Sequence, residues 1–532
     1  SGTDLTLTNN YIAVAGENGI YAHIASDSDI SNNLIITPTH GIRAYACTSC
    51  EIESNTITTG DGITGPDYGI YTNNSSNITI VNNLIVANDY GIRTNSSYKA
   101  QIKNNRITGR IYWSGIDFTS SDSSLVYKNH IQRTIPNGNS SSTQYLLNGV
   151  SSEGSIIRKD TLLAYNLPGT YGANIGINCE WSLIDSNHIN FQHSYAWGNY
   201  TILDNRNSNI LDNVIIVSSK SQDTQNVIRS QSQGSAISRI EGNIISYDRI
   251  SNERFQYAIW TQNNTIIRNN SISADELERA IYVQDNCVID SNTITGDFNQ
   301  QGLIYIAGDT VTVHNNIINQ SGSGTSVYSS GNNAVTIYDN EFSLTNSARW
   351  ISVDNTEADV HHNLVLQNSG RGVEFYNQSA GSIYNNTLIS SGAGDYGIFL
   401  TNQTAVPIYN NIVQGFQNGI YAENTIQNYN LDHNNLYDIP GSLFSGSAIP
   451  PLAGQMIDQN ANGDASDIYA NISFDPQFVD ASNEDYDLLI TSPCINAGTD
   501  NLSDPDGTIS DIGANYHFIY IVIDHTPLQS TI

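Results

Sequence analysis

The 532-residue chain carries 51 acidic against 20 basic residues, a net charge of −31, which repels nucleic acid phosphate and anionic lipid and argues against a nucleic-acid partner. Charged residues make up only 13%, so the surface is polar mainly through amides and hydroxyls, a composition that suits either glycan contact or an inert stalk. No apolar run approaches the roughly 20 residues that span a bilayer, so membrane insertion is not expected.

From Asn10 to Asn434 one phrase recurs eighteen times: an aliphatic residue, two spacers, an Asn, one spacer and another aliphatic, as in Ile80 to Ile85, Ile102 to Ile107 and Ile383 to Leu388. Asp160 replaces the Asn once, and most intervals are 22 to 24 residues. A fixed period of this size marks a solenoid whose repeats bury their apolar faces only against their neighbours. In N-I-T-I-V-N-N-L-I, Ile78 and Ile80 alternate with polar-facing residues as in a strand, and Ile85 points inward again after the Asn. The landmark Asn is expected to turn the corner, because it tolerates left-handed backbone, and to bond to its equivalents on stacked coils.

In the first coils a Gly precedes each Asn by about 14 residues, at Gly19, Gly41, Gly69, Gly91 and Gly115, so each coil has at least two corners and two or three strands. Two residues after these Gly an outward column reads Tyr21, Arg43, Tyr71, Arg93, Asp117. Alternating Tyr and Arg suit a glycan, through stacking and bidentate hydrogen bonds, and equally suit mutual support within the column. Four of the five Cys fall in repeated small-residue slots, Cys50 and Cys287 five before the Asn and Cys47 and Cys179 eight before it, which points to buried structural thiols.

Between Asn129 and Asn270 the intervals lengthen to 31, 27, 26, 30 and 27 residues. Insertions follow Ile135, surround Phe191 to Asn199 and fill Ser218 to Gly234; in solenoids such loops often form the binding flank. If catalysis occurs, these coils hold the groups for it. Lys128, Arg133, Arg158, Lys159 and His188 would neutralise a uronate and remove its proton in a lyase, and Glu180 with Asp185, or Asp204 with Asp212, would form the carboxylate pair of a hydrolase.

Further along, the position two before each Asn reads Asp290, His314, Tyr338, His361, Tyr384, Tyr409, Asp432. Rings on successive coils, about 4.8 Å apart, make a strip with nearly the repeat of a sugar chain. Tyr338, His361, Tyr384 and Tyr409 therefore join Tyr21, Arg43, Tyr71 and Arg93 as expected glycan contacts. Near the end, Asp458, Asn460, Asn462 and Asp464 space oxygen ligands as a calcium loop does, without the Glu at the twelfth position, and Asp504, Asp506 and Asp511 form a second carboxylate cluster. Ca2+ suits either; ordinary Asx turns account for both equally. No cofactor is required by the sequence.

The N-N-x-I phrase over residues 1–440 resembles that of right-handed parallel β-helix proteins of the pectate-lyase-like superfamily. The segments F-D-P-Q-F-V-D (Phe474 to Asp480), S-P-C-I-N-A-G (Ser492 to Gly498) and D-I-G-A (Asp511 to Ala514) resemble the closing module of large secreted or surface-attached bacterial β-helix proteins. The resemblance implies an all-β fold: a right-handed parallel β-helix solenoid of about 18 coils over 1–440, a capping module over 441–518 that covers the last strand edge, and a strand or linker over 519–532. It also implies an extracellular or cell-surface location, with further domains of the same polypeptide. Two functions fit. One is a structural or adhesive segment of a large prokaryotic surface protein that contacts polysaccharide or cell-surface glycan and self-associates. The other is a polysaccharide lyase or glycoside hydrolase with its site in coils 129–270.

Overall fold

A computed structural model describes residues 2–60, 66–134, 143–165, 174–193, 200–219, 226–249, 256–275, 277–298, 301–331, 334–345, 349–401, 406–423 and 430–517. The Ile135 insertion, most of Phe191 to Asn199, part of Ser218 to Gly234 and the 519–532 segment lie outside these residues. The chain forms two compact units, Ser1–Val335 and Thr336–Ile532. Both are built from coils of parallel strands, together about 16 turns, and no described residue is α-helical.

In the first unit a representative coil has three strands: Thr79–Val81 in the first sheet, Leu84–Ala87 in the second and Tyr90–Asn95 in the third. Each pairs in parallel with its equivalent one coil on, at Gln101–Lys103, Arg106–Gly109 and Ser114–Asp117. Winding supplies the long crossover that parallel pairing needs. Alternate residues point inward, so Ile80, Ile85, Ile92, Ile102 and Ile107 are fully buried in a stacked aliphatic core. The four repeat-slot cysteines are buried as well, and no cysteine is in a disulfide.

The corner is made one residue earlier than the sequence suggests. The left-handed position is the residue before the landmark Asn: Asn32, Ser54, Asn82, Asn104, Lys128, Lys159, Ser186, Asp212, Asn269, Ser291 and Asn315, all with φ between 52° and 57°. The landmark Asn instead forms a buried ladder. Asn83 donates both its backbone N–H and its side-chain amide to Asn105 Oδ1, each at 3.0 Å, and a second amide hydrogen goes to Ile52 O at 2.8 Å. Every rung from Asn33 to Asn316 accepts a side-chain amide from the rung before it, except Asn187, which accepts only the backbone N–H of Asp160. An amide that both donates and accepts can pass the pattern on indefinitely, which is why Asn fills the position.

Glycine is required at Gly69 in the third sheet for a different reason. A Cβ at Gly69 would lie 2.6 Å from Gly91 O and would overlap Ile85.

The second unit repeats the architecture with Glu357–His361, Leu364–Gly370 and Val373–Tyr376. Its ladder runs Asn340, Asn363, Asn386, Asn411 and Asn434, then one rung further to Asn471. It stops at Asp467, whose carboxylate accepts the Asn471 amide at 3.0 and 3.2 Å and the backbone N–H groups of Asn471, Tyr469 and Gly454. A pure acceptor is the right terminus for a chain of donors. Parallel pairing ends at Phe444–Ser445, and the chain beyond wraps the final coils around a small core of Ile412, Ile472, Leu488, Cys494, Ala497 and Ile512. This closing segment is anchored to the left-handed corner residues: Thr499 N–H donates to Asn410 Oδ1 at 2.9 Å, and Asn385 donates to Asp511 O at 2.9 Å.

Candidate functional site

Two of the candidate catalytic residues are joined side chain to side chain. Arg158 and Asp185 are register partners on neighbouring coils, with Arg158 Nε 2.6 Å from Asp185 Oδ2, and Ser186 Oγ takes the other carboxylate oxygen at 2.6 Å. Lys128 and Lys159 are exposed corner residues, and the Lys128 ammonium lies over the Tyr127 ring. Glu180 is buried near the next corner, whereas His188 is exposed in the second sheet, on the far side of the corner from Asp185.

The Tyr21, Arg43, Tyr71, Arg93 column is real and in register along the third sheet. The Arg43 guanidinium lies 5.6 Å from the Tyr21 ring and 5.7 Å from Tyr71; Arg93 lies 5.1 Å from Tyr90, donates to Tyr68 Oη at 3.1 Å and pairs with Asp117 at 3.5 Å. Arg93 thus spends donors on Tyr68 and Asp117, whereas Arg43 is held between two rings. The column also continues where sequence reading stopped. Past Asp117, Asn148, Asn178 and Leu203 it resumes as Arg229, Trp260, Tyr282, Tyr305 and Tyr328. Trp260, Tyr282 and Tyr305 stack at 5.9 and 5.4 Å, within 9° of parallel. The signal was present as A-I-W, A-I-Y, L-I-Y and S-V-Y, the Gly of G-I-Y exchanged for another residue.

In the second unit the outward column of the first sheet is a ring stack. Centroids of Tyr338 and His361 are 5.1 Å apart, His361 and Tyr384 4.7 Å, and Tyr384 and Tyr409 5.0 Å, with planes within 17° of parallel. Burial, then the neighbouring His362, pushes the His361 imidazole down to about 4, and burial first pushes the Tyr409 hydroxyl up to about 12. His361 is therefore a neutral ring at pH 7. Beyond Tyr409 the column position is Asp432, in register with it. There a cleft of about 270 Å³ opens, lined by Pro407, Tyr409, Asn430, Asp432, Thr499, Asn501 and Leu502. The other column members, Asp290 and His314, form a pair in the first unit at 3.4 Å.

The carboxylate clusters near the end make turns. Asn460 Oδ1 accepts the N–H groups of Asn462 and Asp464 at 3.1 and 2.9 Å, while the Asp458 carboxylate accepts Gln459 N–H. Asp504 accepts Asp511 N–H, Asp506 accepts Thr508 N–H, and Asp511 accepts the N–H groups of Asn496 and His517, both at 2.7 Å. Burial and then Asp511 raise the Asp504 carboxyl to about 7.

Residues 278–413 match the family model described as right handed beta helix region, which agrees with the parallel coils of the structure. This is a right-handed β-helix repeat protein. Residues 1–171 of the β-helix match the model described as periplasmic copper-binding protein (NosD). No curated protein matches the chain. Among the described residues no three His, Cys, Asp or Glu side chains are grouped to hold a metal ion. In the NosD-like region Cys47 and Cys50 are buried, with their thiols directed at the carbonyls of Tyr45 and Thr48.

Proposed function

We propose that this is an exported, non-catalytic β-helix, periplasmic or at the cell surface, that binds glycan. The observation that carries the reading is the four-ring column of the second unit, which ends at a polar cleft instead of being covered. Aromatic rings beside hydroxyl and amide groups are what a sugar needs, since its C–H face packs on a ring while its hydroxyls find donors and acceptors. The sparsely charged polar surface and the periplasmic description of the NosD family support export. On the enzymatic alternative, Arg158 and Asp185 neutralise each other, and Glu180 and His188 are held on different elements, so among the described residues these candidates do not converge as acid and base.

A glycan panel scored for both binding and product release, with and without Ca2+, tests the reading. Binding with intact oligosaccharides is expected. Release of unsaturated or reducing sugars would overturn it.

A further inference from the structure

A strip of ring faces would let a sugar chain lie along the column, but the stack does not expose them. Centroids 4.7–5.1 Å apart, with planes about 3.5 Å apart at van der Waals contact, leave a slip of only about 3 to 4 Å. His361 and Tyr384 are therefore covered on both faces, and they present edges and a hydroxyl to solvent. Tyr409 differs: Tyr384 covers one face, and the short Asp432 side chain follows on the other. The cleft lies at this step, walled by Thr499, Asn501 and Leu502 of the closing segment. Two coils on from Tyr409 the column returns to an aromatic residue, Tyr469, whose hydroxyl is tied to Pro451 O. One ring is missing from the series, and the space is kept open by a loop fixed to Asn410.

We propose that this cleft is an end-on site for one neutral pyranose ring of a glycan, stacked on the open face of Tyr409 in the place the next aromatic side chain would take. The proposal rests on the glycan reading above and specifies its location and ligand class. Asn430, Thr499, Asn501 and Asp432 supply hydrogen-bond partners for the ring hydroxyls, and Leu502 and Pro407 supply apolar walls. Among the described lining residues Asp432 is the only carboxylate and no Lys or Arg accompanies it, so a uronate carboxylate would face repulsion in a site of reduced dielectric. The ring series enforces the geometry, because a sugar bound here continues a stack whose preceding members are already in place.

The test is calorimetric titration of the whole chain with neutral oligosaccharides (cello-, xylo-, manno- and maltohexaose) and with oligogalacturonate and oligoalginate. Wild type and the variants Tyr409→Ala and Thr499→Trp are compared, with folding checked by circular dichroism. At least one neutral series should bind, the uronates at least about tenfold more weakly. Tyr409→Ala should lose about tenfold, as expected for a stacking contact, and Thr499→Trp should abolish binding by filling the cleft. Unchanged affinity in Tyr409→Ala and Thr499→Trp would overturn the site while leaving glycan binding intact. Uronates binding as well as neutral sugars would overturn the ligand class. No binding by wild type would overturn the glycan reading itself.

Discussion

The Asp160 carboxylate accepts the Asn129 backbone N–H at 2.6 Å and its side-chain amide at 3.0 Å, yet it has no amide to pass to Asn187, and its Oδ2 is buried without a partner. At this rung the ladder holds a carboxyl where the pattern calls for a donor. Burial pushes the group up to about 7, so it is a neutral acid over most of the acidic range and can act as the missing donor.

Its linkage sign is set by that rise. The folded state holds the proton and the unfolded state does not between pH 3.8 and about 7, so stability from this group is full at low pH and falls as pH rises through that window, by about 4 kcal/mol at most. Asp160→Asn should restore the donor. We expect a higher Tm at pH 8 and little change at pH 4, read by scanning calorimetry; equal stabilisation at both would show that ionisation is not the cause.

His361 carries the opposite sign. Its imidazole is pushed down from 6.5 to about 4, so the unfolded state binds the proton first and stability is lost as pH falls from about 6.5 to 4. His361→Tyr should remove this acid sensitivity while extending the stack. Circular dichroism melts of both proteins at pH 7 and 4.5 measure the difference.

Arg133 is fully buried, its three guanidinium nitrogens have no hydrogen-bond partner among the described residues, and burial alone depresses it to about 9. It sits in the core between Gly109 and Ala164, which are small enough to admit it. An uncompensated buried charge is costly, so Arg133→Met should stabilise the protein by about 2 to 4 kcal/mol. Denaturant titration would show this as a higher midpoint with unchanged slope; destabilisation would mean that the guanidinium has a partner in solution.

Asp467 closes the second unit's ladder by accepting from Asn471, Tyr469 and Gly454. Asp467→Ala leaves these donors buried and should cost about 2 to 5 kcal/mol. Hydrogen exchange should report the loss first at Asn434 and Asn471, the rungs nearest the terminus.

The solenoid was legible because its period is carried by residues with no substitute: an amide that donates and accepts, and inward aliphatics two residues apart. The corner was misplaced because Asn often stands at both positions, as at Asn82 and Asn83, and only coils such as Lys128–Asn129 separate the two roles. Asn471 was missed because the rung interval there is 37 residues, the chain having detoured before returning to the stack. Trp260 and Tyr282 escaped because the search followed Gly, and the third sheet also admits Ala there. The ring column was legible as a list of residues, but whether it offered faces or edges was not, since that depends on the slip between rings. The cleft was invisible, because Thr499 and Asn501 reach Tyr409 across about 90 residues of chain.

Titration of the intact chain with a neutral hexasaccharide series, followed by chromatography of the same samples, separates glycan binding from glycan cleavage. Saturable binding that Thr499→Trp abolishes is expected, with every oligosaccharide recovered at its original length. Shortened or unsaturated products from the wild-type sample, or no binding to any series, would contradict non-catalytic glycan binding.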